Sequence, residues 1–190
     1  AAGATVGSNH NSRGNDGEII AGRGFWPGLS STLKHNSHFA SYTLITRGNY
    51  PNELNIPLPF SMVVENPQDN HIEVMPAYYW MYNMYALERN SWKYQIRDKR
   101  IYKTQHIVID YLAPDTAQEI IKAIQLLEEW TGKAVILSLG EKIPKELEKI
   151  SSKGRTYLKN TPENAKPLTV IGENMEHSKR PVYIIKATEA

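Results

Sequence analysis

The sequence has no cysteine, which excludes disulfides, thiolate zinc sites and a cysteine nucleophile within these residues and removes any redox clue to compartment. Strong charge of either sign is also missing. The 22 Lys and Arg residues against 20 Asp and Glu leave a formal net charge of +2, so bulk electrostatics gives no argument for nucleic acid or an anionic membrane. No apolar run approaches the roughly 18 to 20 residues that span a bilayer, and no charged-then-apolar signal opens the chain. A cytoplasmic chain without membrane contact is the resulting expectation. The remainder, 41% hydrophobic and 22% charged residues over 190 positions, is ordinary for a globular protein of one domain or two small ones.

One stretch has an unusual period. In residues 30–45, SSTLKHNSHFASYTLI, the apolar residues Leu33, Phe39 and Ile45 recur at six-residue steps, and the small residues Ser31, Ser37 and Thr43 lie two positions before them. A strand alternates with period 2 and a helix with about 3.6, so neither accounts for a six. The hexapeptide rule of a parallel β-helix does, with one large apolar side chain buried on each short face and a small residue before it. This predicts a mixed β/α fold. Partial β-helix coils occupy residues 1–46, with Leu33, Phe39 and Ile45 inside, and residues 47–190 form an irregular crossing segment and an α+β extension packed on the coils. Ala4 and Val6 share the small-x-apolar phase and nothing caps them, which reads as the continuation of a solenoid whose earlier coils precede Ala1. Between Gly7 and Ser30 the phase is lost among turn-forming residues, with Ile19 and Ile20 as one more short face.

Beyond Ile45 the repeat fades, and Pro51, Pro57 and Pro59 predict an irregular crossing. Residues 60–65 and 71–75 flank the turn sequence NPQDN and predict a hairpin. From Ala77 to Arg97 the pattern turns helical, with Tyr78, Met81, Tyr85, Trp92 and Ile96 on a face that would lie on the coils. HIVIDY, 106–111, predicts a strand. Asp115 and Gln118 open a second helix whose buried stripe is Ile120, Ile121, Ile124 and Leu127 and whose stop is Gly132. Pro144 opens a third helix, through Ile150, that Gly154 ends. Residues 168–171 and 182–185 predict two further strands.

The densest polar cluster is Asn9-His10-Asn11-Ser12-Arg13. It joins an imidazole that titrates near neutral pH to amide donors and a guanidinium that can grip an anion. The bland reading is that these side chains satisfy corner backbone groups. His35 and His38 form a second pair. His35 falls at a corner and His38, just before Phe39, points outward, where it could meet a substrate or only solvent. A metal site is not expected, because two histidines three apart without a carboxylate are an incomplete ligand set. The basic run Lys93, Arg97, Lys99 and Arg100, with Trp92 and Tyr94 interleaved, has a composition that can hold phosphates or single strands. Glu88 and Asp98 interrupt it, a solvated helix end explains it as well, and nucleic-acid binding is not expected.

Several strings together resemble a known family: SNHNSRGNDGEIIAGRGFWPGL, LKHNSHFASYTLI, NELNIPLPFS, MPAYYWMYNMYALERNSWKYQIRDKR, YLAPDTA and GENMEHSKRPVYIIK. They resemble the carboxy-terminal half of a family of large bacterial proteins of unknown function, whose core is similar to the left-handed parallel β-helix of hexapeptide-repeat acyltransferases. The resemblance implies a transferase-like activity on a sugar or nucleotide-sugar, with an acyl thioester as donor and no resident cofactor. In such an enzyme His10 and His35 would be the catalytic histidines, and Asn9, Asn11, Arg13 and His38 would bind substrate. It also implies a homo-oligomer, trimeric in that class, with a small molecule as partner. The alternative is a non-enzymatic β-helix scaffold or binding protein.

Overall fold

The computed structural model describes residues 3–8, 17–178 and 180–190. The six-residue period produces very short strands that pair with the next round of chain and not with their sequence neighbours. β1 (Thr5–Ser8), β2 (Ile20–Ala21) and β3 (Trp26–Pro27) make the first round. The second contains β4 (Thr32–Lys34), β5 (His38–Phe39) and β6 (Leu44–Ile45). The third contains β7 (Asn49–Tyr50), β8 (Asn55–Ile56) and β9 (Met62–Asn66). All pairings between rounds are parallel, giving the ladders β1-β4-β7, β2-β5-β8 and β3-β6-β9. Between the second and third rounds the partners lie 17 or 18 residues apart, Thr32 with Asn49 and Leu44 with Met62. Leu33, Phe39 and Ile45 are buried, and Tyr50, Ile56 and Val63 sit in register beneath them.

The rounds therefore continue past Ile45, where the sequence pattern fades. Tyr50 comes five residues after Ile45, Ile56 six after Tyr50 and Val63 seven after Ile56, while the three prolines fall outside β7, β8 and β9. Before Ser31 the phase also persists. Gly24, Ser30, Asn36 and Tyr42 follow one another at six-residue steps with positive φ, and Phe60, one round below Tyr42, shares it. A corner that needs a left-handed residue explains the Gly, Ser and Asn. Tyr42 and Phe60 are bulky for it, and their rings stack at 4.9 Å. The small residues have a bonding role too: the hydroxyls of Ser31, Ser37 and Thr43 each donate to the carbonyl three residues back, at 2.8 Å.

β9 leads into the expected hairpin with β10 (His71–Met75), turned by Asn66, whose side-chain oxygen accepts the N–H groups of Gln68 and Asp69. β11 (Val170–Ile171) and β12 (Val182–Ile184) extend this sheet in the order β11-β12-β10-β9-β6-β3. The connection between them closes the third round. The Asn55 N–H donates to Met175 O at 2.8 Å, the His177 N–H to Glu53 O at 3.0 Å, and the Met175 side chain is buried in the core. Arg180 ties the corner together. Its Nε donates to Glu176 at 2.7 Å and its Nη1 to Glu65 at 3.2 Å, and the other Glu65 oxygen accepts the Asn49 N–H at 2.7 Å.

The helices depart from the sequence reading in four ways. First, the expected single helix is two, α1 (Tyr78–Tyr82) and α2 (Met84–Arg97), broken at Asn83. The buried residues are Tyr79 and Leu87, whereas Tyr85, Trp92 and Ile96 are exposed. The break changes the phase, and the aromatic stripe faces outward. Second, residues 106–111 form no strand. They are an extended strap held by Arg23, which donates to the carbonyls of Val108 (3.3 Å) and Asp110 (2.9 Å) and pairs with Asp115 at 2.7 and 3.0 Å. Third, α3 (Pro114–Ser138) runs through Gly132, with Ala123, Leu127 and Trp130 buried and Ile121 and Ile124 exposed; its start is fastened by the Thr116 hydroxyl, which accepts the Ala113 N–H. Fourth, α4 (Leu147–Asn160) begins after Ile143–Pro144 and runs through Gly154. Neither glycine is a stop. A Cβ on Gly132 would strike the Ile150 carbonyl and one on Gly154 the Glu128 carbonyl, so both permit close contact between α3 and α4. A short α5 (Pro162–Ala165) follows. No described helix is long and apolar enough to cross a membrane.

Candidate functional site

The outer face of the middle ladder presents Ile20, His38 and Asn55 in register, one from each round. α3 and α4 stand opposite and leave a cleft of about 730 Å³, within the range of small-molecule sites. From α3 the cleft receives Glu119, Lys122 and Glu129, which at i, i+3 and i+10 share a helix face; from α4 it receives Ser151 and Arg155. Phe39, Ile56 and Leu126 supply the apolar part of the lining.

Most charges here are committed. Arg155 holds Glu128 bidentately at 2.9 and 2.8 Å, and that hydrogen bond raises the guanidinium pKa. Because the Glu128 side chain is only 6% exposed, the pair fixes α4 on α3 more than it offers a free ligand. Glu129 is taken by Lys133 at 2.6 Å, and Lys133 reaches Glu173 as well. Glu119 accepts the Ser41 N–H at 2.9 Å with one oxygen. His38 and Lys122 have no hydrogen bond or ion pair from their side chains to any described residue. The cleft thus combines an uncommitted imidazole, an uncommitted ammonium, a carboxylate with a free oxygen and the amides of Asn55 and Gln125 around an apolar floor. Such a set can hydrogen-bond a polyhydroxylated ligand and accept a proton from it.

Asn9, His10, Asn11 and Arg13 lie outside the described residues. His35 is buried at the Asn36 corner, where Gly17 passes so close that a Cβ there would strike the His35 ring and Asn36. It does not line the cleft, so the structure does not bring His35 and His38 into one site. Sequence reasoning missed Glu119 and Lys122, which flank the apolar stripe of α3. The signal was the uneven polarity of α3, whose polar residues include 119, 122, 125 and 129 at helical spacing.

An uncharacterised protein of Treponema pallidum (strain Nichols) is 50% identical to this chain over all 190 residues, which correspond to 25% of that protein. The chain thus spans about a quarter of the length of the relative it matches. It matches no protein-family profile and no solved structure. Fold and site together define a mixed α/β chain of stacked parallel strands with a helix-walled cleft, similar along its whole length to part of a larger bacterial protein.

Proposed function

We propose that the three rounds are coils of a left-handed parallel β-helix of the hexapeptide type, and that the cleft beside them is the site of a transferase-like enzyme acting on a sugar. The six-residue recurrence of the inward apolar, small and left-handed corner residues supports the architecture. The observation that carries the function is His38, an imidazole without a partner among the described residues, on the outer face of the coils and lining a cleft shared with Glu119 and Lys122. In this reading His38 removes a proton from an acceptor hydroxyl or amine as an acyl thioester delivers its acyl group. The thioester C–S bond breaks, the new ester or amide bond forms, and the thiol leaves with a proton. The lining favours the sugar over the diphosphate of a nucleotide-sugar, since four glutamates face only one lysine and one arginine.

The test is a screen of sugars and amino sugars with acyl thioesters, read by product mass and by thermal stabilisation. Once a substrate is found, His38→Ala should lower turnover by about 10² to 10⁴ with little change in melting temperature. His10→Ala and His35→Ala belong in the same assay. Wild-type turnover in His38→Ala would refute the assignment. The burial of His35 at a corner favours a second reading, a non-enzymatic scaffold with structural histidines, and a screen in which no ligand shifts the melting temperature would select it.

A further inference from the structure

A second, smaller cavity of about 240 Å³ lies on another face, between the β3-β6-β9 ladder, α2 and the strap held by Arg23. Its lining is unlike that of the cleft. Trp26, Tyr42, Tyr79 and Tyr94 line it, and no charged residue does among the described residues. The polar side chains of its lining include Asn90 and Ser91, neither hydrogen-bonded to a described residue. Tyr79 is only 2% exposed, its hydroxyl has no hydrogen-bond partner among the described residues, and burial pushes its pKa up to about 12, so it remains a neutral donor.

Leu87, Asn90, Ser91 and Tyr94 follow one another along α2 at i, i+3, i+4 and i+7, so one helix face forms this wall. On one side of this face the helix carries Lys93 and Arg97, and Arg89 precedes Lys93 by one turn toward the far side. None of the three has a described carboxylate within ion-pairing distance. The Lys93 pKa is lowered, first by desolvation and then by the like charges of Arg89 and Arg97. Lys93 follows Asn90 by three residues and Arg97 follows Tyr94 by three, which puts both cations one turn from the aromatic wall.

We propose that this cavity takes the base of a nucleotide, stacked among Trp26 and Tyr94 and bonded at its edge by Asn90 and Ser91, with the phosphate on Lys93 and Arg97. The volume suits one flat ring system, aromatic faces favour stacking, and the uncompensated cations match an anionic tail. The assignment does not depend on the His38 cleft.

The test is calorimetric and Trp-fluorescence titration of the full chain with AMP, GMP, CMP and UMP, and with adenosine and inorganic phosphate as part-ligands. At least one nucleotide should bind more tightly than either part-ligand. Trp26→Ala and Tyr94→Ala should each weaken it about tenfold or more, and Lys93→Gln combined with Arg97→Gln should weaken it and flatten its salt dependence. Circular dichroism and melting of each variant show whether it is folded, and Tyr94→Phe, which keeps the ring, should retain binding. The proposal is overturned if no nucleotide binds at millimolar concentration, if phosphate alone binds equally well, or if the Trp26 and Tyr94 variants bind like wild type. Binding lost in His38→Ala and kept in Trp26→Ala would put the nucleotide in the cleft and also overturn it.

Discussion

Ser37 and Ser61 are both fully buried, and they differ in what their hydroxyls meet. Ser37 donates to Lys34 O and accepts the Leu54 N–H at 3.0 Å, whereas the Ser61 hydroxyl has no partner among the described residues. Removing a hydroxyl that satisfies buried groups strands them, at about 1 to 3 kcal/mol, while removing an unpaired one relieves a desolvated dipole. Ser37→Ala should therefore lower the urea midpoint, and Ser61→Ala should leave it unchanged or raise it. The Arg23–Asp115 contact adds a pH dependence. The hydrogen bond from Arg23 holds the Asp115 carboxyl below its ordinary range. A depressed carboxylate pKa contributes stability that is present above the unfolded value, about 3.9, and is lost as pH falls through the folded one. Wild type should lose stability between pH 5 and 3 in denaturant titrations, and Asp115→Asn should lose less over that window.

At the scale of elements, what could be read from the sequence was the repeating part. Ser31, Ser37 and Thr43 with Leu33, Phe39 and Ile45 marked a round of chain because identical corners make identical demands on residue size. The third round was hidden because Tyr50, Ile56 and Val63 do not keep a strict six and prolines intervene. In the helices, periodicity shows that a stripe exists but not which stripe is covered. Trp92 is 57% exposed and Leu87 only 3%. Trp92→Ala should shift stability by no more than about 0.5 kcal/mol, where Leu87→Ala should cost about 2 to 5 kcal/mol. Paired chemical melts would check this. Gly132 and Gly154 looked like helix ends, since glycine at a stop and glycine at a crossing have the same letter. Gly154→Ala places a methyl against the Glu128 carbonyl and should destabilise by about 1 to 3 kcal/mol in spite of alanine's helix propensity. Of the cleft, His38 was legible and its helical wall was not, because the partners of a ladder face are set by tertiary packing.

For the whole molecule, the Arg180 cluster joins the third round, the hairpin and the C-terminal connection. The Glu176 side chain is fully buried and depends on Arg180 for its counter-charge. Arg180→Ala should cost about 3 to 5 kcal/mol, the usual penalty for stranding a buried carboxylate, read as a fall in melting temperature. Replacing Arg180 and Glu176 together by apolar residues should recover much of that loss.

The closure of the third round by residues 174–177 also orders events in time. β8 meets Met175 only after about 120 further residues have been made, roughly 6 to 24 s at ribosomal speed. The third round can settle on the second within 17 or 18 residues, so these strands are stacked long before their last face is covered. During that interval Leu54, Ile56 and Leu58, buried in the finished protein, lack the Met175 segment. A nascent chain stalled before residue 170 should recruit holdase chaperones, and one extended past Ile184 should release them.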